Sequence, residues 1–141
     1  MVAMHFVDMG TVTQISQGRH VRAVGWLDAA HPFPTGRVEP EVIARIRAFA
    51  KACAASVEAL GWPVAAGPHT CNFCGDARAS GNFGVPHGEI LFVCPEMIAH
   101  YVEDHGYLPP SEFRVAVIAA ELPGTDTYAN SVAALAIGGS R

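Results

Sequence analysis

Residues 68–107 read PHTCNFCGDARASGNFGVPHGEILFVCPEMIAHYVEDHGY. Three patterns follow one another here. Cys71 and Cys74 are spaced CxxC, and Gly75 directly behind them lets the chain turn sharply. NFGV and EILFV are short β-prone runs on either side of PHG, which reads as a β-hairpin. A helix then follows, opened by Pro95 and ended by Gly106, and it carries His100 and His105 in its second and last turns. A chain that returns from a CxxC turn through a hairpin to a histidine-bearing helix has the makings of a metal clip. The fold is expected to close around it.

The rest of the chain is consistent with that centre. HFVDM and VRAVGWL, at the N-terminal end, have strand composition and are separated by a polar segment with Gly18. DAAHPFPTGRVEP, residues 28–40, is a proline-rich loop. Pro40 suits a first helical position, and Val42, Ile46, Phe49, Cys53, Val57 and Leu60 recur at helical spacing as one apolar stripe. Gly61 and Pro63 cap and stop that helix. Cys53 reads as a small core residue on the stripe. A third helix is expected with Phe113, Ala116, Val117 and Ala120 on one face and Pro123-Gly124 as its stop. A fourth covers Thr127 to Ile137. The fold class is α+β: N-terminal strands, a β-hairpin and three or four helices around a zinc site at about residues 67–107, all in one domain of 1–141.

The bulk composition bounds the function. The chain has 141 residues, half of them hydrophobic and 16% charged, enough to bury a core and unlike a disordered chain. A net charge of −4 leaves no basic footprint for nucleic acid. The start lacks a basic region followed by an apolar run, and the late apolar stretches are too short to span a bilayer, so the compartment read from sequence is cytoplasmic. In a reducing compartment a close CxxC is more often a metal clip or redox pair than a disulfide.

Zinc favours thiolate and imidazole, and its structural sites are four-coordinate and closed. Cys71, Cys74, His100 and His105 are the leading ligand set, with four residues between the histidines. One feature opposes it. At ~100° per residue, positions five apart on an α-helix point roughly 140° away from each other, so the last turn must tighten or unwind. His69 is a rival fourth ligand, because HTC places it on the same face of a strand as Cys71. Cys94 is a third candidate. His105 ranks above His69, although a place among Met97, Ile98, Tyr101 and Val102 also suits a hydrogen-bonded core histidine. His87 and Glu89 read as solvated turn residues.

Catalytic readings find less support. HGE at 87–89 shares the H-x-E element of zinc deaminases, but their P-C-x-x-C comes later in the chain, and here the order is reversed without the proline. Thioredoxin-like chemistry needs CxxC at a helix N-terminus, whereas CGDARASGNFG is not helical. No nucleophile elbow, phosphate loop or HExxH is present. In GWLDAAHPFPTG, Trp26 and Phe33 read as anchors of a loop folded over the core, with a binding surface as the alternative. Asp28 is a cap or ion-pair residue. Pro109-Pro110 is a rigid connector between two helices.

Taken in order, VGWLDAAHPFPTG, GPHTCNFCG and HYVEDHGYLPPSEF resemble a family of short, uncharacterised bacterial proteins that occur as stand-alone chains of about this size. The resemblance runs from about Phe6 to Val117, and it is the motif order that is specific. It implies an H-x-C-x-x-C segment, here His69, Cys71 and Cys74, and an HY…H-G-Y-x-P-P segment, here His100, Tyr101, His105, Gly106, Tyr107, Pro109 and Pro110. Cys53 and Cys94 fall outside the pattern. MGTVTQISQGRH departs from its more aromatic start. The resemblance implies no activity. The functional expectation is therefore a zinc-binding protein with a structural metal that acts as a binding or adaptor module toward a protein partner, with no nucleic-acid or membrane partner. An immunity-type inhibitor of a protein toxin and a small zinc-dependent enzyme are the alternatives.

Overall fold

The computed structural model describes residues 7–11, 20–55, 69–71, 73–75, 78–79 and 81–134, with backbone only at 53–55, 69, 78 and 79. Its centre is a three-stranded sheet. Strands β4 (Asn82–His87) and β5 (Ile90–Pro95) form the hairpin. β1 (Val21–Ala23) lies parallel to β5 on the other side, giving the order β1-β5-β4. The β4–β5 register runs from His87↔Ile90 to Asn82↔Pro95. The turn is therefore Gly88-Glu89, with Gly88 at a left-handed φ of 62°, as a two-residue hairpin loop favours. The strands extend beyond NFGV and EILFV to include Pro86 and His87. Pro86 is tolerated because β4 is an edge strand, where a missing N–H costs little.

Four helices are described. α1 is Pro40–Ala55, α2 is Ile98–His105, α3 is Ser111–Ala119 and α4 is Asp126–Val132. Pro40 opens α1 as expected, and Val42, Ile46 and Phe49 of its stripe are buried. The remaining stripe positions and the Gly61/Pro63 stop lie outside the described side chains and residues. α1 packs on β4, α2 and α3, with Phe49 stacked on Phe83 at 5.8 Å and Phe92 meeting Phe113 edge-on at 5.8 Å. Each such ring, fully buried, stabilises the fold by about 1.5–3 kcal/mol.

Several boundaries differ from the sequence reading. Pro95 ends β5 and does not open α2, which begins at Ile98 after a turn at Glu96-Met97. The proline sits opposite Asn82, and strand pairing outranks its suitability as a helix start. α3 ends at Ala119, before Pro123-Gly124, and Ala120 is already extended with ψ 149°. A side chain from another helix explains the early stop: Arg45 donates from Nε to the Val117 carbonyl at 2.8 Å and from its terminal nitrogen to the Ala120 carbonyl. It thereby supplies donors that the end of a helix otherwise lacks. α4 is capped by Thr125, which accepts from the Tyr128 N–H at 3.1 Å. Buried Tyr128 then donates its hydroxyl to the Gly84 carbonyl at 2.8 Å.

The N-terminal reading is only partly met. Val21–Ala23 is a strand, but the chain leaves it at Gly25, whose φ is 84°. An added Cβ there would lie 2.7 Å from Ile98 Cδ1, so glycine allows α2 to approach this closely. Of HFVDM, the described part, 7–9, forms a turn, tied to β1 by Met9 N–H donating to the Ala23 carbonyl. The remainder lies outside the described residues. Trp26 and Phe33 do act as loop anchors. Trp26 is buried and donates Nε1–H to the Val93 carbonyl at 2.9 Å. Phe33 lies edge-on to Phe73 and Tyr107. Thr35 bridges Tyr107, and Leu108 N–H donates to the Pro34 carbonyl, so the proline loop is laced to the segment that leaves α2. Among the described residues no helix is long and apolar enough to cross a membrane.

Candidate metal centre

The CxxC segment is held at its base by a short ladder. β2 (His69–Thr70) pairs antiparallel with β3 (Arg78–Ala79). Cys71 follows β2 directly, and Gly75 N–H returns to the Cys71 carbonyl at 2.9 Å. Gly75 takes a φ of 74°, which closes the loop tightly enough to aim both sulfurs to one side. Opposite stands α2, with His100 in its first turn and His105 as its last residue.

The expected angular conflict between the two histidines is resolved at the end of the helix. Gly106, left-handed at φ 69°, donates its N–H to the Tyr101 carbonyl five residues back, and Tyr107 N–H reaches the same oxygen at 3.1 Å. This wide closure resembles a π turn. The helix keeps its α assignment through His105, and the two side chains converge at its end. The two rings end 4.8 Å apart and nearly perpendicular, at 81°.

Four donor atoms converge as a result. Cys71 Sγ lies 3.4 Å from His105 Nε2, Cys74 Sγ lies 3.5 Å from His100 Nε2, and the two Nε2 atoms are 3.1 Å apart. Ligand atoms of all four residues lie within 4.8 Å of one another. A tetrahedral zinc ion with ordinary bond lengths spaces its ligands about 3.3 Å apart for two nitrogens and about 3.6 Å for nitrogen and sulfur. The separations of 3.1, 3.4 and 3.5 Å are close to three edges of that tetrahedron. Cys71, Cys74 and Cys94 are all free thiols.

The surroundings suit a cation. His100 Nδ1 faces the Asp104 carboxylate at 3.1 Å, one helical turn on. Such a carboxylate holds the proton on Nδ1 and leaves Nε2 as the donor. Asp104 was not singled out from sequence, although the i,i+4 spacing of His100 and Asp104 on a helix is a readable signal. Phe73, between the two cysteines, packs on His105 at 5.1 Å and edge-on to Tyr101 at 5.9 Å, which shields one side from water. Burial pushes the Cys71 thiol up. Backbone N–H groups of Cys74 and Phe73 oppose the rise, and the nearby Cys74 sulfur adds to it. A bound divalent cation reverses the balance, because a coordinating thiol is deprotonated. Tyr101 is pushed up to about 12, by burial first and by the Cys71 sulfur next, so it faces the centre as a neutral phenol.

The other candidates fall elsewhere. Cys94 is fully buried on β5, and burial, reinforced by the Asp8 charge, raises its thiol well above the ordinary range. It is not in the cluster. His69 lies on β2, and its side chain is outside the described part. His87 and Glu89 are exposed at the hairpin end, as read from sequence.

Residues 4–118 match the family described as a domain of unknown function, DUF7919. The chain belongs to that family. The matched span takes in the whole candidate centre and every described element except the end of α3 and α4. No curated protein and no solved structure gives a significant match.

Proposed function

We propose that Cys71, Cys74, His100 and His105 hold one zinc ion as a closed structural centre, and that the protein is a binding or adaptor module and not an enzyme. The observation that carries this is the closeness of three donor separations, 3.1, 3.4 and 3.5 Å, to edges of a zinc tetrahedron. Two thiolates and two imidazoles fill a tetrahedral zinc and leave no position for a reacting water. The metal joins the β2–β3 loop to α2, two pieces of chain that share no strand pairing. A small zinc enzyme remains the second reading, because Cys74 is exposed and a ligand at the surface is the easiest to exchange for water.

Elemental analysis of untagged protein tests the metal directly. About one zinc per chain is expected, lost in Cys71→Ser and in His105→Ala. Zinc-free protein purified without chelator, or undiminished zinc in Cys71→Ser, contradicts the proposal. Cobalt substitution separates the two readings. A stable four-coordinate visible spectrum, unmoved by added azide or cyanate, supports the closed centre, and an anion-sensitive spectrum supports the enzyme.

A further inference from the structure

A second feature lies outside the metal centre, under the proline loop. A cleft of about 330 Å³ is lined by Asp8, Leu27, His31, Pro32, Phe33 and Pro34, among others. This volume is in the range of small-molecule sites, which are mostly apolar with a few fixed polar groups. The walls here are an aromatic ring, two prolines and a leucine. The polar groups are held from behind. Asp8 Oδ1 accepts the Gly25 N–H at 3.0 Å and Asp8 Oδ2 accepts the Tyr107 hydroxyl at 2.6 Å. Among the described residues these two donors fix the carboxylate, and each of its oxygens has a second lone pair that can accept a further donor. His31 Nδ1 meets Asp28 Oδ1 at 2.6 Å, and the same oxygen accepts the Ala30 N–H.

The electrostatics are one-sided. Neither lysine nor arginine is among the described lining residues. With Asp28 behind His31, the local charge stays negative whether the imidazole is neutral or protonated. Phe33 is an aromatic lining residue, and the face of an aromatic ring attracts ammonium groups. Phe33 is itself held by Tyr107 and Phe73, so the wall is already formed before a ligand arrives. The larger groove beside α3 differs on this point. Arg22 and Glu112 both line it, and its mixed rim selects no charge.

We propose that this cleft binds a small organic cation, a protonated amine on an apolar body, with the ammonium on the free lone pairs of Asp8 and the apolar part against Phe33 and the prolines. No metal enters the recognition itself, and the zinc centre bears on the cleft only through Phe73, which packs against Phe33, so the titration is run on zinc-loaded protein.

The test is a titration of the full-length ¹⁵N-labelled protein with phenethylammonium chloride, using phenylacetate and phenethyl alcohol as anionic and neutral counterparts. Saturable amide shifts are expected at Val7, Asp8, Leu27, His31 and Phe33 with the ammonium. The alcohol should bind at least tenfold more weakly, and phenylacetate should give no saturable shift. Two variants separate charge in the cleft from charge elsewhere. Asp8→Asn removes the carboxylate of the cleft, and Glu112→Gln removes an exposed carboxylate that lines only the other groove. Asp8→Asn should weaken binding at least tenfold, and Glu112→Gln should leave it within about threefold. The proposal is overturned by equal losses in the two variants, by equal binding of phenylacetate, by shifts mapping elsewhere, or by no saturation below about 10 mM, weaker than an ordinary fragment.

Discussion

Asp104 shows how much one exposed side chain can matter to an atom two bonds beyond its reach. Its carboxylate sits 3.1 Å from His100 Nδ1 and is 62% exposed, so as an ion pair it stabilises the fold very little. Its effect on the proposed zinc centre would be different in kind. By holding the Nδ1 proton it selects the tautomer that offers Nε2 and makes that nitrogen a better donor. Asp104→Ala is therefore expected to weaken zinc binding by about tenfold, the lower end of the usual range because solvent competes for the carboxylate. Asp104→Asn, which keeps an acceptor, should recover part of the loss. Competition against a coloured chelator measures both, and the melting temperature of the zinc-free variants should not move. His100 and Asp104 are four apart in sequence, so the pair is visible on a helical wheel once the helix is granted.

At the scale of elements, the end of α3 is set by α1. Helix propensity alone carries SEFRVAVIAAEL up to Pro123, because nothing in that run breaks a helix. The structure stops it at Ala119 because Arg45, on the buried side of α1, takes the carbonyls of Val117 and Ala120. The guanidinium also lies 5.7 Å from the Phe49 ring centroid, so its stem fills the gap between the two helices. Arg45→Met keeps much of the stem and removes the donors. A loss of about 1–3 kcal/mol is expected, as for hydrogen bonds to a charged group, read as a lower urea midpoint with an unchanged slope. A loss below about 0.5 kcal/mol would mean that water replaces the guanidinium without cost. Pro95 teaches the same lesson: a residue that suits a helix start was claimed by the pairing of β5 with β4.

For the whole molecule, the candidate centre joins parts that the sheet does not. Among the described residues β2 and β3 pair only with each other, separate from the β1-β5-β4 sheet, and a two-residue ladder is marginal alone. On the proposed reading, a zinc ion shared with α2 would bind the folded chain in preference to the unfolded one and so stabilise it by mass action. Removing it with a strong chelator should lower the melting temperature markedly, and returning one equivalent of zinc should restore it. Loss should be felt beyond the ligands. Phe73 connects His105 to Phe33, with ring centroids 5.1 and 5.3 Å apart, and Phe33 is the anchor of the proline loop. Hydrogen exchange should accordingly rise at residues 31–36 as well as at 71–75 when the metal is withdrawn. An unchanged melt after verified removal would show that the centre does not hold the fold.

Local chemistry made part of this legible from residues alone. The hairpin follows from alternating β-prone runs around a Gly-containing turn, α1 from its stripe and Pro40, and the end of α2 from Gly106, because each depends on neighbours within a few positions. The α+β class, and Cys71, Cys74, His100 and His105 as the set to examine, follow from spacing and from the ligand preferences of zinc. The nearness of His105 to His100 did not, because an α-helix of ideal winding turns the two positions away from each other. Only the folded chain shows the two imidazoles together, beside Cys71 and Cys74. The pairing of β1 with β5, the Asp8–Tyr107 bond and the Arg45 cap also join residues far apart in sequence. Such contacts form when burial of the common core repays the entropy of bringing distant segments together, and no local pattern records which partner will be met.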